Sequence, residues 1–167
     1  LELGLRAIAE LPTAVQDECR FVFIGDGEYL PVAKSLAAEL GIGDSVGFTG
    51  WLDEAQLFGY LATADLGLEP NLEETVSPVK GQEYMAFGVP YVAFDTAQTR
   101  AMSGPAACYA KRGDVGEFAG LIAKLLADDT ERARMGRAGR ERVERTLSWD
   151  QQKLAYLGMY RALLAGD

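Results

Sequence analysis

Short apolar runs alternate along the chain with segments whose apolar residues recur every three or four positions. Residues 2–10 read as a helix with Leu1, Leu5 and Ile8 on one face, and 20–24 (RFVFI) as a buried strand that ends in Gly25-Asp26-Gly27. A helix over 30–41 places Ala33, Leu36, Ala37 and Leu40 together and stops at Gly41. Residues 45–48 form a short strand closed by Gly50, and Asp53 caps a helix over about 54–63. A strand over 65–68 stops before Pro70, and a polar loop covers 71–78. The next helix runs from Val79 to Phe87 and ends at Gly88, with Pro90 just beyond. Strands at 90–94 and 107–110 follow, then three helices at 114–127, 130–146 and 149–164.

Strands separated by helices in this regular way predict an α/β fold: a Rossmann-like, doubly wound parallel sheet, in one domain over 1–167. Ligands in such folds sit beyond the carboxyl ends of the strands. Four loops leave those ends, at 25–28, 49–53, 69–78 and 95–100, and are the expected walls of a site.

Composition narrows the chemistry. The 167 residues suffice for one core, and 25 acidic against 16 basic residues give a net charge of −9, which argues against nucleic acid as a partner. The basic residues cluster once, in Arg132, Arg134, Arg137, Arg140, Arg142 and Arg145, but Glu131, Glu141 and Glu144 are interleaved, so a solvated helix with ion pairs is expected. There is no histidine, which removes Ser-His catalysis and His-based metal sites. Cys19 and Cys108 fit no metal-ligand spacing and are expected to be reduced, as suits a cytoplasmic protein. No apolar run reaches the roughly 18 residues of a membrane span. The opening LELGLRAIAEL begins inside a helical pattern with no N-cap before it, so a preceding segment is expected.

Residues 71–95, NLEETVSPVKGQEYMAFGVPYVAFD, carry the most chemistry. Ser77 and Pro78 stand at the mouth of the helix that begins near Val79, where free N–H groups and the helix dipole favour an anion. Lys80 adds a full charge on the first turn, and Lys80, Glu83 and Phe87 share one face, with Tyr84 and Met85 on the buried side. N–H groups and a lysine suit phosphate, and a glutamate suits ribose hydroxyls. From pattern alone, an ordinary surface pair between Lys80 and Glu83 stands beside that reading.

The block SPVKGQEYMAFGVPYVAFD resembles the donor-binding signature of family 4 glycosyltransferases of the GT-B fold. FVFIGDGE, SVGFTGWLDEAQLFGYLATADLGLEP, GDVGEFAGLIAKLLADD and ERARMGRAGRERVERTLSWDQQ fall in that family's order, so the resemblance covers essentially the whole chain. It implies the C-terminal lobe of a retaining, metal-independent transferase that moves a sugar from a nucleotide diphosphate sugar to an acceptor, with no cofactor beyond that co-substrate. Glu83 matches the ribose-hydroxyl ligand. Thr75, Val76, Ser77, Pro78, Val79 and Lys80 match the segment whose backbone approaches the sugar and diphosphate. Trp51 and Leu52 match the place where main-chain groups hold the base, and Gly25 and Gly27 a turn that lets backbone come near the ligand; a tight turn alone also explains those glycines. Arg100 either pairs locally or reaches ligand.

Two departures stand out. The family's first motif glutamate, eight residues before the second, falls on Thr75, with Glu73 and Glu74 just upstream. An Arg and a Lys that neutralise the leaving diphosphate belong upstream of a segment like LELGLRAIAEL, with the acceptor-binding N-terminal lobe, so this piece alone is expected to be inactive. That lobe is the implied route to any peripheral contact with the inner membrane. Two other readings stay open: another GT-B enzyme such as a sugar-nucleotide epimerase, and a degenerate domain that binds nucleotide sugar without catalysis. The final helix, 149–164, reads as core packing, or as an apolar face that supports a weak homodimer.

Overall fold

The computed structural model describes residues 1–74 and 79–165. Helix α1 (Glu2–Ala9) sends Leu5, Ala7 and Ile8 wholly into the core. After it come α2 (Thr13–Glu18), β1 (Phe21–Ile24), α3 (Leu30–Glu39), β2 (Val46–Gly50), α4 (Glu54–Thr63), β3 (Gly67–Glu69), α5 (Val79–Ala86) and β4 (Tyr91–Phe94). The chain continues through α6 (Ala97–Ser103), a 3-10 turn (Gly104–Ala106), β5 (Ala107–Ala110), α7 (Val115–Leu126), α8 (Asp129–Arg142), a π-type turn (Val143–Leu147) and α9 (Trp149–Leu164).

Every paired strand is parallel. β1 pairs with β2, and β4 lies between β3 and β5. The single expected sheet is therefore found as two, because no strand pairing joins β1 to β3 among the described residues. β3 has only three residues, and Pro70 just after it has no N–H to extend the ladder. One apolar cluster still serves both sheets: Val46 of β2 and Val92 and Phe94 of β4 share it with Leu5, Ile8, Phe118, Ile122 and Leu125. Tyr91 and Ala93, alternating along β4, face a second cluster with Met85 and Met102. β4 is thus buried on both faces, as a central parallel strand should be.

Several elements differ from the sequence expectations. α2 and α6 were not expected, and α6 replaces most of the 95–100 loop. Its start is set by Thr96, whose hydroxyl accepts from Thr99 N while the Thr99 hydroxyl accepts from Thr96 N, a capping box in which threonine stands in for glutamate. The helix expected over 130–146 is broken at Arg142, after which the chain widens into the π-type turn. α9 keeps its expected span but has no buried residue, which overturns core packing for it.

The arginine cluster is more than a solvated face. Ion pairs do form, Arg134–Glu131, Arg140–Glu144 and Arg145–Glu141. Three arginines of α8, however, each reach the carboxyl end of a different helix, where carbonyls lack intrahelical partners. Arg132 donates to Leu125 and Leu126 of α7 at 2.6 and 2.5 Å, Arg140 donates to Ala86 O of α5, and Arg142 donates to Met102 and Ala101 of α6 at 2.5 and 2.6 Å. Gly136 lets α8 come this close, since a Cβ there would collide with the carbonyl oxygen of Gly88. Gly88 itself ends α5 with φ of 70°, a conformation open to glycine.

Candidate functional site

Helix α5 is fixed on its sheet by two reciprocal fits. The Tyr84 ring fills the space over Gly67 of β3, and the Tyr91 ring of β4 fills the space over Gly81 of the helix. The Tyr84 hydroxyl donates to Leu68 O at 3.2 Å, and burial, with a smaller part from the Glu69 charge, pushes its pKa up to about 12. Burial also raises Tyr91, whose hydroxyl is bonded to Ser103. At its far end α5 is closed by Arg140 and packed through Phe87 against Phe58 of α4, ring centroids 5.2 Å apart.

This packing sets the first turn of α5 at the carboxyl end of β3. Lys80 Nζ stands 3.6 Å from Oε1 of Glu69, the last residue of that strand. The lysine is 66% exposed and the glutamate 1%. Glu69 Oε2 is buried with no hydrogen-bond partner among the described residues. Lys80 is therefore paired with Glu69, and the alternative of a Lys80–Glu83 surface pair is not what forms. Glu83, one turn on, is half-buried, and its carboxylate makes no hydrogen bond or ion pair among the described residues. Val79 is exposed. Thr75, Val76, Ser77 and Pro78 lie outside the described residues. Upstream of them Glu74 pairs with Arg112 at 3.1 Å, and Arg112 also donates to Leu72 O at 2.7 Å, so Glu74 is engaged locally.

The other expected walls form a second group. Gly25 and Gly27 have φ of 137° and 150°, and the Gly25 N–H donates to Gly50 O at 2.9 Å. That bond draws the glycine turn against the loop of Trp51 and Leu52; Trp51 is 75% exposed and Leu52 half-buried. Asp53 then caps α4 in a full capping box with Gln56. α1 links the two groups. Gly4 lies against Phe23 of β1 and Pro70 after β3, and Glu2 accepts from the Tyr29 hydroxyl at 3.3 Å. β1 and β3 thus begin two parallel sheets, one running on to β2 and the other to β4 and β5, and in open α/β folds ligands bind beyond the carboxyl ends of such strands.

Arg100 does not reach this place. It forms a two-pronged bond with Asp95 at 2.5 and 2.6 Å and lies over the Tyr109 ring, 4.5 Å from its centroid. The Arg100 hydrogen bond holds the Asp95 carboxyl below the usual range. Cys19 and Cys108 are free, and burial raises both thiols. Arg112 was missed from sequence, and Glu69 entered only as the first residue of the 69–78 loop. The signal for Glu69 was a carboxylate closing an apolar strand (LGLE), one residue past the expected strand end.

The arrangement can hold a phosphate at the mouth of α5 beside Lys80, with a free carboxylate one turn deeper for hydroxyl groups. The model of the family described as Glycosyl transferases group 1 matches residues 1–142. The chain belongs to that family. It is 31% identical over 135 residues to the MMP alpha-(1->4)-mannosyltransferase of Mycolicibacterium hassiacum, covering 79% of this chain and 33% of that protein. It is 29% identical to the GDP-mannose-dependent monoacylated alpha-(1-6)-phosphatidylinositol monomannoside mannosyltransferase of Corynebacterium glutamicum, covering 82% and 37%. Sucrose-phosphate synthase from Thermosynechococcus elongatus superposes with a TM-score of 0.87 at 24% identity, over 99% of this chain and 42% of that one. HepE of Anabaena, solved in complex with UDP, gives 0.79 at 18% identity, over 95% and 44%. The GT-B relatives bear out the Rossmann-like α/β lobe. The chain spans about a third of the length of the two mannosyltransferases.

Proposed function

We propose that this chain is the lobe of a glycosyltransferase that binds a nucleotide diphosphate sugar, and that the full protein transfers the sugar to an acceptor with retention. The bond from the anomeric carbon to the diphosphate breaks, a bond to an acceptor oxygen forms on the same face, and the acceptor's hydroxyl proton leaves with the nucleoside diphosphate or solvent. The observation that carries the reading is Glu83: a half-buried carboxylate without a partner among the described residues, one turn below a lysine at a helix mouth. It serves as a ligand for ribose hydroxyls, not as an acid or base. Lys80 and the N–H groups at the start of α5 take the diphosphate, the backbone around Gly25, Gly27, Trp51 and Leu52 takes the rest of the nucleotide, and no metal is called on.

The family membership supports a transferase, and the GDP-mannose named for one relative and the UDP bound to one structural neighbour support a nucleotide donor. No epimerase is among the relatives named above. The N-terminal lobe of the same protein supplies the acceptor site and the further basic groups, so transfer by this chain alone stays negligible. No helix among the described residues is long and apolar enough to cross a membrane. The cytoplasm is the proposed place of work, with membrane contact left to the other lobe, and α9 supports weak self-association.

Calorimetric titration with UDP, GDP and ADP tests the site. One of them should bind, and Glu83→Ala should weaken it about ten-fold or more, the loss of a charged hydrogen-bond acceptor. A parent that binds none of the three, or a variant that binds as well as the parent, removes the assignment.

A further inference from the structure

Glu69 is an expensive residue for its position. Its side chain is 1% exposed, one oxygen is 3.6 Å from the Lys80 ammonium, and the other has no partner among the described residues. At 3.6 Å the pair is an attraction between charges without a hydrogen bond. A buried carboxylate served this poorly destabilises a fold, and an apolar residue of the same size usually does better.

We propose that Glu69 is a buried counter-charge that sets how tightly the Lys80 site holds a nucleoside diphosphate. The inference rests on the reading of α5 and Lys80 as the diphosphate site. An anion held by Lys80 at ordinary bonding distance, about 3 Å from Nζ, stands no more than roughly 7 Å from Glu69. At an effective dielectric constant of about 20, two unit charges that close repel enough to change affinity on the order of ten-fold or more. Glu69 also steadies Lys80, which acts the other way. With the lysine 66% exposed and the contact this long, that steadying is the smaller effect. The net result is a site that attracts a diphosphate through Lys80 and the helix mouth yet releases it readily. A transferase gains from this after each turnover, when the nucleoside diphosphate left behind must leave before the next donor enters.

The test titrates the full chain with whichever of UDP, GDP and ADP it binds, and with the matching nucleoside. Glu69→Gln should tighten the diphosphate about ten-fold and leave the nucleoside unchanged. Lys80→Met alone should weaken the diphosphate. An unchanged or weaker diphosphate affinity in Glu69→Gln overturns the counter-charge while leaving the site intact, provided Lys80→Met weakens binding. A parent that binds no nucleotide, or a Lys80→Met variant that binds like the parent, overturns the site and this inference with it. Should Glu69→Gln not fold, Glu69→Leu takes its place. If both fail to fold, Glu69 is structural and the proposal is wrong.

Discussion

Tyr84 covers Gly67 so closely that a Cβ on the glycine would lie 2.6 Å from the tyrosine ring. The ring belongs to the helix that carries Lys80 and Glu83, so one missing side chain on β3 decides where both stand. Gly67→Ala should destabilise the protein by about 1–3 kcal/mol, the usual range for overpacking. It should also weaken nucleotide binding, because α5 must lift to admit the methyl. Urea unfolding and calorimetry on the same variant check the two effects; a loss of stability with unchanged binding would separate the helix from the site.

Gly136→Ala should be at least as damaging. The new Cβ would run into the backbone carbonyl of Gly88, which has no rotamer to yield. A loss of about 2 kcal/mol or more is expected, with the α8–α5 contact as its origin. Arg140→Ala, which removes only the cap on Ala86 and an exposed pair with Glu144, should cost about 1 kcal/mol or less. The reverse order in urea midpoints would contradict the packing described.

Alkaline stability should depend on Tyr84. Its pKa of about 12 in the fold stands above the ordinary 10, so the protonated form is favoured by folding. The stability this provides is complete below pH 10 and is lost as pH rises through 12, up to about 3 kcal/mol at 1.36 kcal/mol per unit. Tyr84→Phe should be slightly less stable at neutral pH, for want of the bond to Leu68, and should fall less steeply above pH 10. Unfolding curves at pH 8 to 12 for both proteins decide it; parallel declines would rule out Tyr84.

Self-association should run through α9. Leu154, Leu157 and Leu164 lie along one side of it, 62%, 47% and 76% exposed. Sedimentation should show a dimer growing with concentration, and Leu157→Glu with Leu164→Glu should abolish it at little cost to stability. A parent that stays monomeric at high concentration defeats the idea.

Most of the fold was legible because its segments are long and periodic. The faces of α3 and α7 and the caps at Asp53 and Gly88 needed only local rules. α2 escaped because six residues give too little periodicity, and α6 because Thr99 occupies a place where a capping box usually has glutamate or glutamine. Glu83 and Lys80 were legible as a helix-mouth pair, but the partner of Lys80 was not. Glu69 lies 11 positions earlier on a strand, and only the interlocked glycines and tyrosines bring the two together. The roles of Arg132, Arg140 and Arg142 were hidden for the same reason, since their acceptors are fixed by tertiary packing.

Arg140 reaches Ala86 across 54 residues of chain. During synthesis the amino end of a protein emerges first. The helix with Lys80 and Glu83 therefore leaves the ribosome well before the residue that seals its last turn: Glu83, Tyr84 and Met85 carbonyls are bonded by Phe87, Gly88 and Val89, but until α8 arrives the Ala86 carbonyl has only water to bond. Nucleotide binding by a nascent chain should accordingly appear late, once α8 has emerged and closed over Gly88.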